Sequence, residues 1–436
     1  MNKRRRQIIS LMTLLIMLIA GRALVLYLIE PVDYSIYFNH ILRNKTAANH
    51  DRIDMVFIGA SRTLRTFDPE VFENILGLDC VFNASSGLQP IEAGYYMLKE
   101  ITERYHPKYA VLGVTWEGLI EPDSTLAKVI VLDRLNGKNK FDYLKNGFTA
   151  DEYLNALSLC YRFRNNFTAE TIRSIITDKA ELRKNGWSQR LSPPDLYTDN
   201  GFIYSYQTGD IPNYGEVRYD PGRIDPKKAE LLEKIADFCS ENGIRLFLVS
   251  APTTMMNLYR ISEYQEAVNY YSKFAAEHGS DYINLNYLKD REEWLGDGLM
   301  FDFNHVNGEG AELVSEKYAE YLNALINGRD TPDLFYNDLN ELQETVHRII
   351  AVGANIYIAD LKAEVHISSR QTDGIAPLYR VLISQDDENF IPLTEWTEQK
   401  DHVFDVSAYH GTVHFLIEAV SPTGEPGCTI KYHVPV

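Results

Sequence analysis

The sequence predicts an α/β fold, a doubly wound five-stranded parallel sheet, followed by a separate all-β unit. Short apolar runs alternate with amphipathic stretches from Arg52 onward, and turn residues follow each apolar run. Several of the amphipathic stretches carry proline in their first turn, which is typical of helix starts. This alternation of strands and helices predicts a parallel sheet with crossover helices.

The five predicted strands have the length and the apolar character of buried strands. They cover residues 54–58, 80–83, 109–114, 245–250 and 281–285. The predicted helices have apolar residues at helical spacing and cover residues 69–76, 90–105, 226–242, 263–278 and 308–326.

The amino-terminal segment predicts a membrane anchor. A basic cluster, residues 3–6, precedes apolar runs at residues 8–20 and 23–29, which together have the ~20 residues that a bilayer requires. The basic cluster should stay in the cytoplasm, so the chain after Glu30 should lie outside. A cleaved signal peptide is the alternative, but no clear A-x-A site follows the apolar run, which favours an uncleaved anchor.

The domain plan follows from these patterns. We expect a cytoplasmic tip and transmembrane anchor at 1–30, a linker at 31–51, the α/β domain at 52–326, a linker at 327–338 and a β-sandwich accessory domain at 339–436. Residues of about 121–223 separate the third and fourth strands and are too many for a simple connection, so we expect an insertion. Its aromatic residues predict either a packed aromatic subcore or a sugar-stacking lid: Trp187, Tyr197, Phe202, Tyr204, Tyr206, Tyr214 and Tyr219.

Composition and charge exclude several functional classes. The net charge is −18 and no basic run follows the first six residues, which argues against nucleic acid as a partner. The four cysteines are widely spaced and lack C-x-x-C pairs, so we expect buried free thiols and neither a zinc knuckle nor a dense disulfide framework. We expect no metal and no cofactor.

Ser61 is the first candidate for chemistry. It follows the first strand in the sequence Gly59-Ala60-Ser61, just past the carboxyl end of a parallel strand, where open α/β sheets bind ligands. Gly59 permits a sharp exit from the strand, and the free N–H groups at the start of the next helix can stabilise an oxyanion. The alternative is a serine that forms only a turn or a helix cap.

Asp302 and His305 form the second candidate group. They lie three residues apart in a loop after the fifth strand, so the carboxylate can accept a hydrogen bond from Nδ1 while Nε2 faces outward as a general base. Because parallel strands end at the same edge of a sheet, we expect this pair to lie near Ser61.

These two motifs, G-x-S after the first strand and D-x-x-H before the last helix, resemble the SGNH/GDSL hydrolase superfamily over residues 52–326. The resemblance implies that Ser61 is the nucleophile, His305 its base and Asp302 the orienting acid. The domain plan and anchor look like the membrane-tethered branch that acts on cell-envelope polysaccharides, including alginate and teichoic-acid modifying proteins.

The sequence departs from this family at two places. The residue before Ser61 is Ala60 where the family usually has Asp, and the segment after the third strand, residues 113–118, lacks the Asn that normally donates to the oxyanion. We therefore expect Asn83 and Gly87, after the second strand, to act as donors together with the Ser61 N–H. For Asn83 the alternative is a turn that only caps the next helix.

The predicted function is that of an extracytoplasmic serine esterase or O-acyltransferase acting on acyl esters, with acetyl as the expected group, of a cell-envelope polysaccharide. A non-catalytic glycan-binding envelope assembly protein on the same fold is the alternative. A phosphate-binding Rossmann-type module is disfavoured because no G-x-G-x-x-G follows the first strand. Arg62 and Arg65 either attract an anionic sugar or phosphate or form a solvated helix face.

Overall fold

The computed structural model describes residues 3–32, 34–185, 195–208, 215–289, 291, 297–345, 349–371, 376–422 and 427–436. The helices in chain order are α1 (Lys3–Ile29), α2 (Tyr34–Ala48), α3 (Ser61–Thr66), α4 (Pro69–Leu76), α5 (Ile91–Tyr105), α6 (Thr125–Arg134), α7 (Gly137–Gly147), α8 (Tyr153–Leu157), α9 (Leu159–Arg162), α10 (Ala169–Asn185), α11 (Pro226–Glu241), α12 (Met255–Tyr259), α13 (Tyr264–Glu277), α14 (Gly308–Ile326) and α15 (Leu339–Thr345).

The strands are β1 (Met55–Ile58), β2 (Val81–Asn83), β3 (Tyr109–Gly113), β4 (Asp195–Tyr197), β5 (Ile203–Ser205), β6 (Val217–Arg218), β7 (Arg245–Ser250), β8 (Ile261–Ser262), β9 (Asp281–Asn284), β10 (Ile349–Ala359), β11 (Lys362–Gln371), β12 (Leu378–Ser384), β13 (Ile391–Pro392), β14 (Asp401–Asp405), β15 (Thr412–Val420) and β16 (Cys428–Pro435).

The predicted parallel sheet is confirmed. Its strand order is β2-β1-β3-β7-β9, and every neighbouring pair is parallel. In β1, Val56 and Ile58 face a core shared with α5 and α11, whereas Met55 and Phe57 face a core shared with α4 and α14. Helices therefore cover both faces, and the strand order reverses direction at β1, the position where open sheets bind ligands.

Helix starts agree with the proline signals in the sequence. Pro69 and Pro226 are the first residues of α4 and α11, and the preceding Asp68 and Asp225 accept hydrogen bonds from backbone N–H groups of the first turn. The five predicted helices are confirmed as α4, α5, α11, α13 and α14 to within one residue at each end.

The amino-terminal region differs from expectation after the apolar helix. Within α1, Ile9–Ile29 is long and apolar enough to cross a membrane, and its most apolar 18-residue window is not buried, although a signal sequence has the same properties. Residues 31–51 were expected to be a linker, but they contain α2. Phe38, Ile41 and Leu42 repeat at helical spacing and are buried in the core, which explains why this segment is ordered.

The insertion is mainly helical, from α6 to α10, followed by the β4–β5 hairpin and the short strand β6. Tyr197, Phe202 and Tyr219 are buried, as a packed subcore requires, whereas Tyr206 is 70% exposed. Trp187 and Tyr214 lie outside the described residues. None of the four cysteines forms a disulfide among the described residues, and only Cys80 and Cys239 are fully buried.

The predicted β unit begins with the short helix α15, and after it the chain forms antiparallel sheets β10-β11-β14 and β13-β12-β15-β16. Burial alternates along β15, where Val413, Phe415 and Ile417 point inward and the residues between them point outward. These inward side chains belong to the same hydrophobic cluster as Phe247 of the parallel sheet, so the β unit shares a core with the α/β unit.

Candidate active site

The turn after β1 places Ser61 at the first position of α3. This turn is possible because two glycines lie against Thr63. A Cβ on Gly59 would lie 2.3 Å from Thr63 Oγ1, and a Cβ on Gly113 would lie 1.7 Å from the same atom. Side chains at these positions would push α3 away from β1 and β3, so the glycines allow the serine to sit directly at the strand ends.

The loop before α14 brings His305 to the serine. His305 Nδ1 lies 2.9 Å from Asp302 Oδ1 and 2.8 Å from Oδ2, while Nε2 lies 2.7 Å from Ser61 Oγ. Backbone N–H groups of Asn304 and His305 each donate to Asp302 Oδ1 at 2.9 Å. The structure therefore brings all three predicted residues together in a Ser-His-Asp arrangement.

Electrostatics favour an ionised Asp302. Burial alone would raise the pKa of this carboxyl, but the hydrogen bond and charge interaction with His305 and the two backbone donors outweigh burial and lower the pKa. The carboxylate favours the tautomer with the proton on Nδ1, because only that nitrogen faces an acceptor of full negative charge. Nε2 is then the acceptor for the Ser61 hydroxyl, as a general base requires.

Comparisons with known proteins add little to this geometry. No family model and no curated protein sequence matches the chain. A GDSL-like lipase structure from Bacteroides thetaiotaomicron is similar at 10% identity, covering 68% of this chain and 97% of that chain with a TM-score of 0.30. A protein from Bacteroides fragilis, assigned to the acylhydrolases, is similar at 8% identity, covering 67% and 99% with a TM-score of 0.29.

Arg62 and Arg65 are not the solvated helix face that the sequence suggested. Arg62 pairs with Glu117 at 2.7 Å and Arg65 with Asp195 at 2.6 Å, and only 11% and 13% of the two arginine side chains is exposed. The Arg65 guanidinium also lies 4.4 Å from the centroid of the Phe301 ring. Arg65 thus joins α3 to the insertion hairpin and to the loop that carries Asp302.

Asn304 was not anticipated from the sequence. One end of its amide lies 2.7 Å from His305 Nδ1 and 3.0 Å from Asp302 Oδ1, and the other end lies 3.3 Å from the Arg62 guanidinium. It therefore connects the arginine beside the nucleophile to the acid of the triad. Its position between Asp302 and His305 was the only sequence signal that pointed to it.

Asn83 does not occupy the oxyanion position predicted for it. Its side-chain nitrogen donates to the backbone oxygens of Thr63 at 3.0 Å and Phe67 at 3.1 Å, and its oxygen accepts from the Ser85 N–H. Both amide hydrogens are thus used to hold α3 against β2, and the donor prediction for this side chain is wrong. Gly87 lies in the turn after β2, and its role as a donor stays a prediction.

Gln89 offers the amide that Asn83 does not. It is only 8% exposed, its Oε1 accepts from Ser86 Oγ at 2.9 Å, and its Nε2 has no hydrogen-bond partner among the described residues. Leaving a buried amide N–H without a partner costs about 1–3 kcal/mol, so a group that accepts from it would be stabilised. Gln89 lines the cleft that contains Ser61.

A smaller pocket adjoins that cleft. It shares Ala60, Gln89, Pro90, Thr115 and Gly118 with the cleft, and its other walls are mainly apolar, formed by Ile58, Ile91, Leu112, Val114, Leu119 and Tyr271. Ser61 lines the cleft, and the apolar recess begins at the neighbouring Ala60.

Proposed function

We propose that this chain is an extracytoplasmic serine esterase or O-acyltransferase that acts on acyl esters, with acetyl as the expected group, of a cell-envelope polysaccharide. The observation that carries the proposal is the 2.7 Å contact between His305 Nε2 and Ser61 Oγ, with Nδ1 of the same ring on Asp302. A serine that only formed a turn would have no need of a base oriented by a carboxylate.

The first half-reaction transfers the acyl group to the enzyme. Ser61 Oγ attacks the acyl carbon while His305 Nε2 takes the hydroxyl proton, and the carbonyl oxygen becomes an oxyanion. The Ser61 N–H and Gln89 Nε2 donate to this oxyanion. The bond to the alcohol oxygen then breaks, the proton on Nε2 moves to that oxygen, and the acyl group remains on Ser61.

The second half-reaction releases the acyl group. Water or a sugar hydroxyl gives its proton to His305 Nε2 and attacks the acyl carbon, and the proton returns to Ser61 Oγ as the acyl–serine bond breaks. Water yields a free acid, and a sugar hydroxyl yields a new ester. Asp302 stabilises the imidazolium that exists in each half-reaction.

The surroundings of Ser61 support a glycan ester as the substrate. Arg62, Glu117, Asp123 and Lys228 line the open cleft as two ion pairs, Arg62 with Glu117 and Lys228 with Asp123, and give it a charged wall for a hydroxyl-rich polymer. The apolar recess suits a short acyl group such as acetyl, since a long acyl chain would not fit into so small a pocket.

The apolar segment of α1 and the basic residues before it support a location at the outer face of the cytoplasmic membrane. Protease added to intact spheroplasts should digest the chain after Glu30. Full protection of that region would contradict the topology.

The decisive experiment is labelling with a serine-directed fluorophosphonate, followed by peptide mapping. We expect one adduct on Ser61, absent from Ser61→Ala and strongly reduced in His305→Ala. Absence of any adduct on the folded wild-type chain, together with retained polysaccharide binding, would instead favour the non-catalytic glycan-binding protein.

A further inference from the structure

A second histidine and aspartate cluster lies in the β unit. His414 on β15 and His433 on β16 are directly opposite in the antiparallel register, and their Nδ1 atoms are in contact. Asp387 Oδ1 lies 3.7 Å from His414 Nδ1, and the three ligand atoms all lie within 4.8 Å of one another. Among the described residues, this is the group whose His, Cys, Asp or Glu atoms converge closely enough to hold one metal ion.

The backbone holds these three side chains in place. His414 and His433 lie on the outward face of a regular strand pair, and their rings cross at 80° with centroids 4.6 Å apart. Asp387 has a positive φ of 61°, which turns the loop after β12 back toward the sheet. The neighbouring Asp386 accepts from the backbone N–H groups of Glu388 and Asn389, so the loop that carries Asp387 is itself tied down.

We propose that His414 Nδ1, His433 Nδ1 and Asp387 Oδ1 bind a divalent transition-metal ion, with zinc as the best match. Two imidazole nitrogens and a carboxylate oxygen form the mixed nitrogen and oxygen ligand set that zinc accepts, with a fourth position left for water. Two facing Nδ1 atoms can share at most one proton, whereas a cation between them uses both lone pairs and the carboxylate charge.

The ion would bind the loop after β12 to the β15–β16 strand pair. The sequence alone gave no reason to expect it, because the ligands are far apart along the chain. It belongs to the β unit and is independent of the proposed ester chemistry.

Lys431 makes the proposal more specific. Its Nζ lies 3.0 Å from Asp387 Oδ1, and its side chain is 45% exposed. The ammonium therefore competes with a metal ion for this carboxylate, but it can move into solvent when an ion binds. Lys431→Gln should raise the affinity for zinc several-fold, an effect opposite to that of changing a ligand.

The test is a calorimetric titration of the full-length chain, stripped with EDTA, with ZnCl₂, and a parallel titration with CoCl₂ read by visible absorption. We expect one equivalent of each ion and cobalt bands typical of tetrahedral coordination. His433→Ala and Asp387→Asn should each weaken zinc binding at least tenfold. Two variants guard against a folding artefact, since either one alone suffices if the other fails to fold.

The matched control is His366→Ala. His366 Nδ1 pairs with Asp401 at 2.8 Å on β11 and β14, a more exposed histidine–aspartate pair of the same β unit. This variant should bind zinc as the wild type does. No zinc binding by the wild type, or equal binding by the His414→Ala/His433→Ala double variant, would overturn the proposal.

Discussion

The α/β unit and the β unit each contain a histidine whose Nδ1 faces an aspartate, but the surroundings give the two histidines different chemistry. At His305 the second ring nitrogen faces the hydroxyl of Ser61. At His414 the same Nδ1 that approaches Asp387 also contacts another imidazole. The first arrangement moves a proton between two defined partners, whereas the second directs several lone pairs to one point.

The difference comes from the elements that carry the residues. Ser61 stands at the carboxyl end of a parallel strand and at the start of α3, and it lines the cleft. The β unit is antiparallel, and its cluster lies on an outward sheet face beside a loop. The lesson is that residue type alone does not distinguish a general base from a metal ligand.

The largest effect should come from Ser61→Ala. We expect at least a ~10⁴-fold loss of kcat/KM for an aryl acetate, since the nucleophile is removed, with His305→Ala nearly as damaging. His414→Ala should leave this activity within about twofold, as measured by release of the aryl alcohol. Equal activity in Ser61→Ala and wild type would remove the enzyme proposal.

Asp302→Asn should lower the same activity by ~10³-fold, less than Ser61→Ala, because the base remains but loses its orienting charge. Asp387→Asn is the matched change in the β unit and should leave kcat/KM unchanged. If both substitutions reduced the activity equally, the two clusters would not be independent.

Gln89→Leu should lower kcat by ~10²-fold with little change in KM, because an oxyanion donor acts mainly in the transition state. Ser86→Ala is the control, since it removes the partner of Oε1 and keeps the Nε2 donor. A Gln89→Leu enzyme with wild-type kcat would exclude this amide from the oxyanion site.

Glu152→Gln tests the electrostatics of the insertion. Burial would raise the pKa of Glu152, but hydrogen bonds from Thr149, Thr125 and Lys128 lower it from 4.5 to about 2. The ionised carboxylate thus stabilises the fold fully above the unfolded pKa, and this contribution is lost as the pH falls through about 2. We expect the variant to be less stable by about 2–3 kcal/mol at pH 7 in urea unfolding.

The same measurement at acid pH supplies the check on Glu152. The difference between wild type and variant should shrink as the pH drops from 4.5 toward 2. A constant difference across this range would mean that the charge of the carboxylate is not what stabilises the fold.

The smallest effect concerns the site's scaffold. Gly113→Ala should destabilise the chain by about 1–3 kcal/mol, because the new Cβ meets Thr63 Oγ1. Thr63→Ala in the same chain should recover part of that loss, because it removes Oγ1. The recovery should be incomplete, since a Cβ at position 113 would still lie 3.0 Å from the Cβ of residue 63. Gly215→Ala, where nothing lies within 4 Å, is the control for thermal unfolding. If the stability losses of Gly113→Ala and Thr63→Ala simply added in the double variant, a direct contact between these two positions would be contradicted.

Much of the fold was predictable because its signals are local. Strands β1, β3 and β7 are continuous apolar runs, and α4 and α11 begin at prolines, so each element is specified by its own residues. Helix α2 was missed because it follows the apolar anchor directly, and the charged and polar residues of 31–51 suggested a linker. The role of its apolar residues is visible only in the folded protein, where they are buried in the hydrophobic core.

The sequence by itself determined the parallel sheet, the β unit and the candidates Ser61, Asp302 and His305, because strand ends and a three-residue spacing are properties of short segments. Only the tertiary structure decided that Asn83 holds α3, that Gln89 Nε2 is buried without a hydrogen-bond partner among the described residues, and that His414 meets His433. These outcomes depend on strand register and on which side chain occupies a given volume. Both are set by long-range packing, which brings together residues that no local pattern relates.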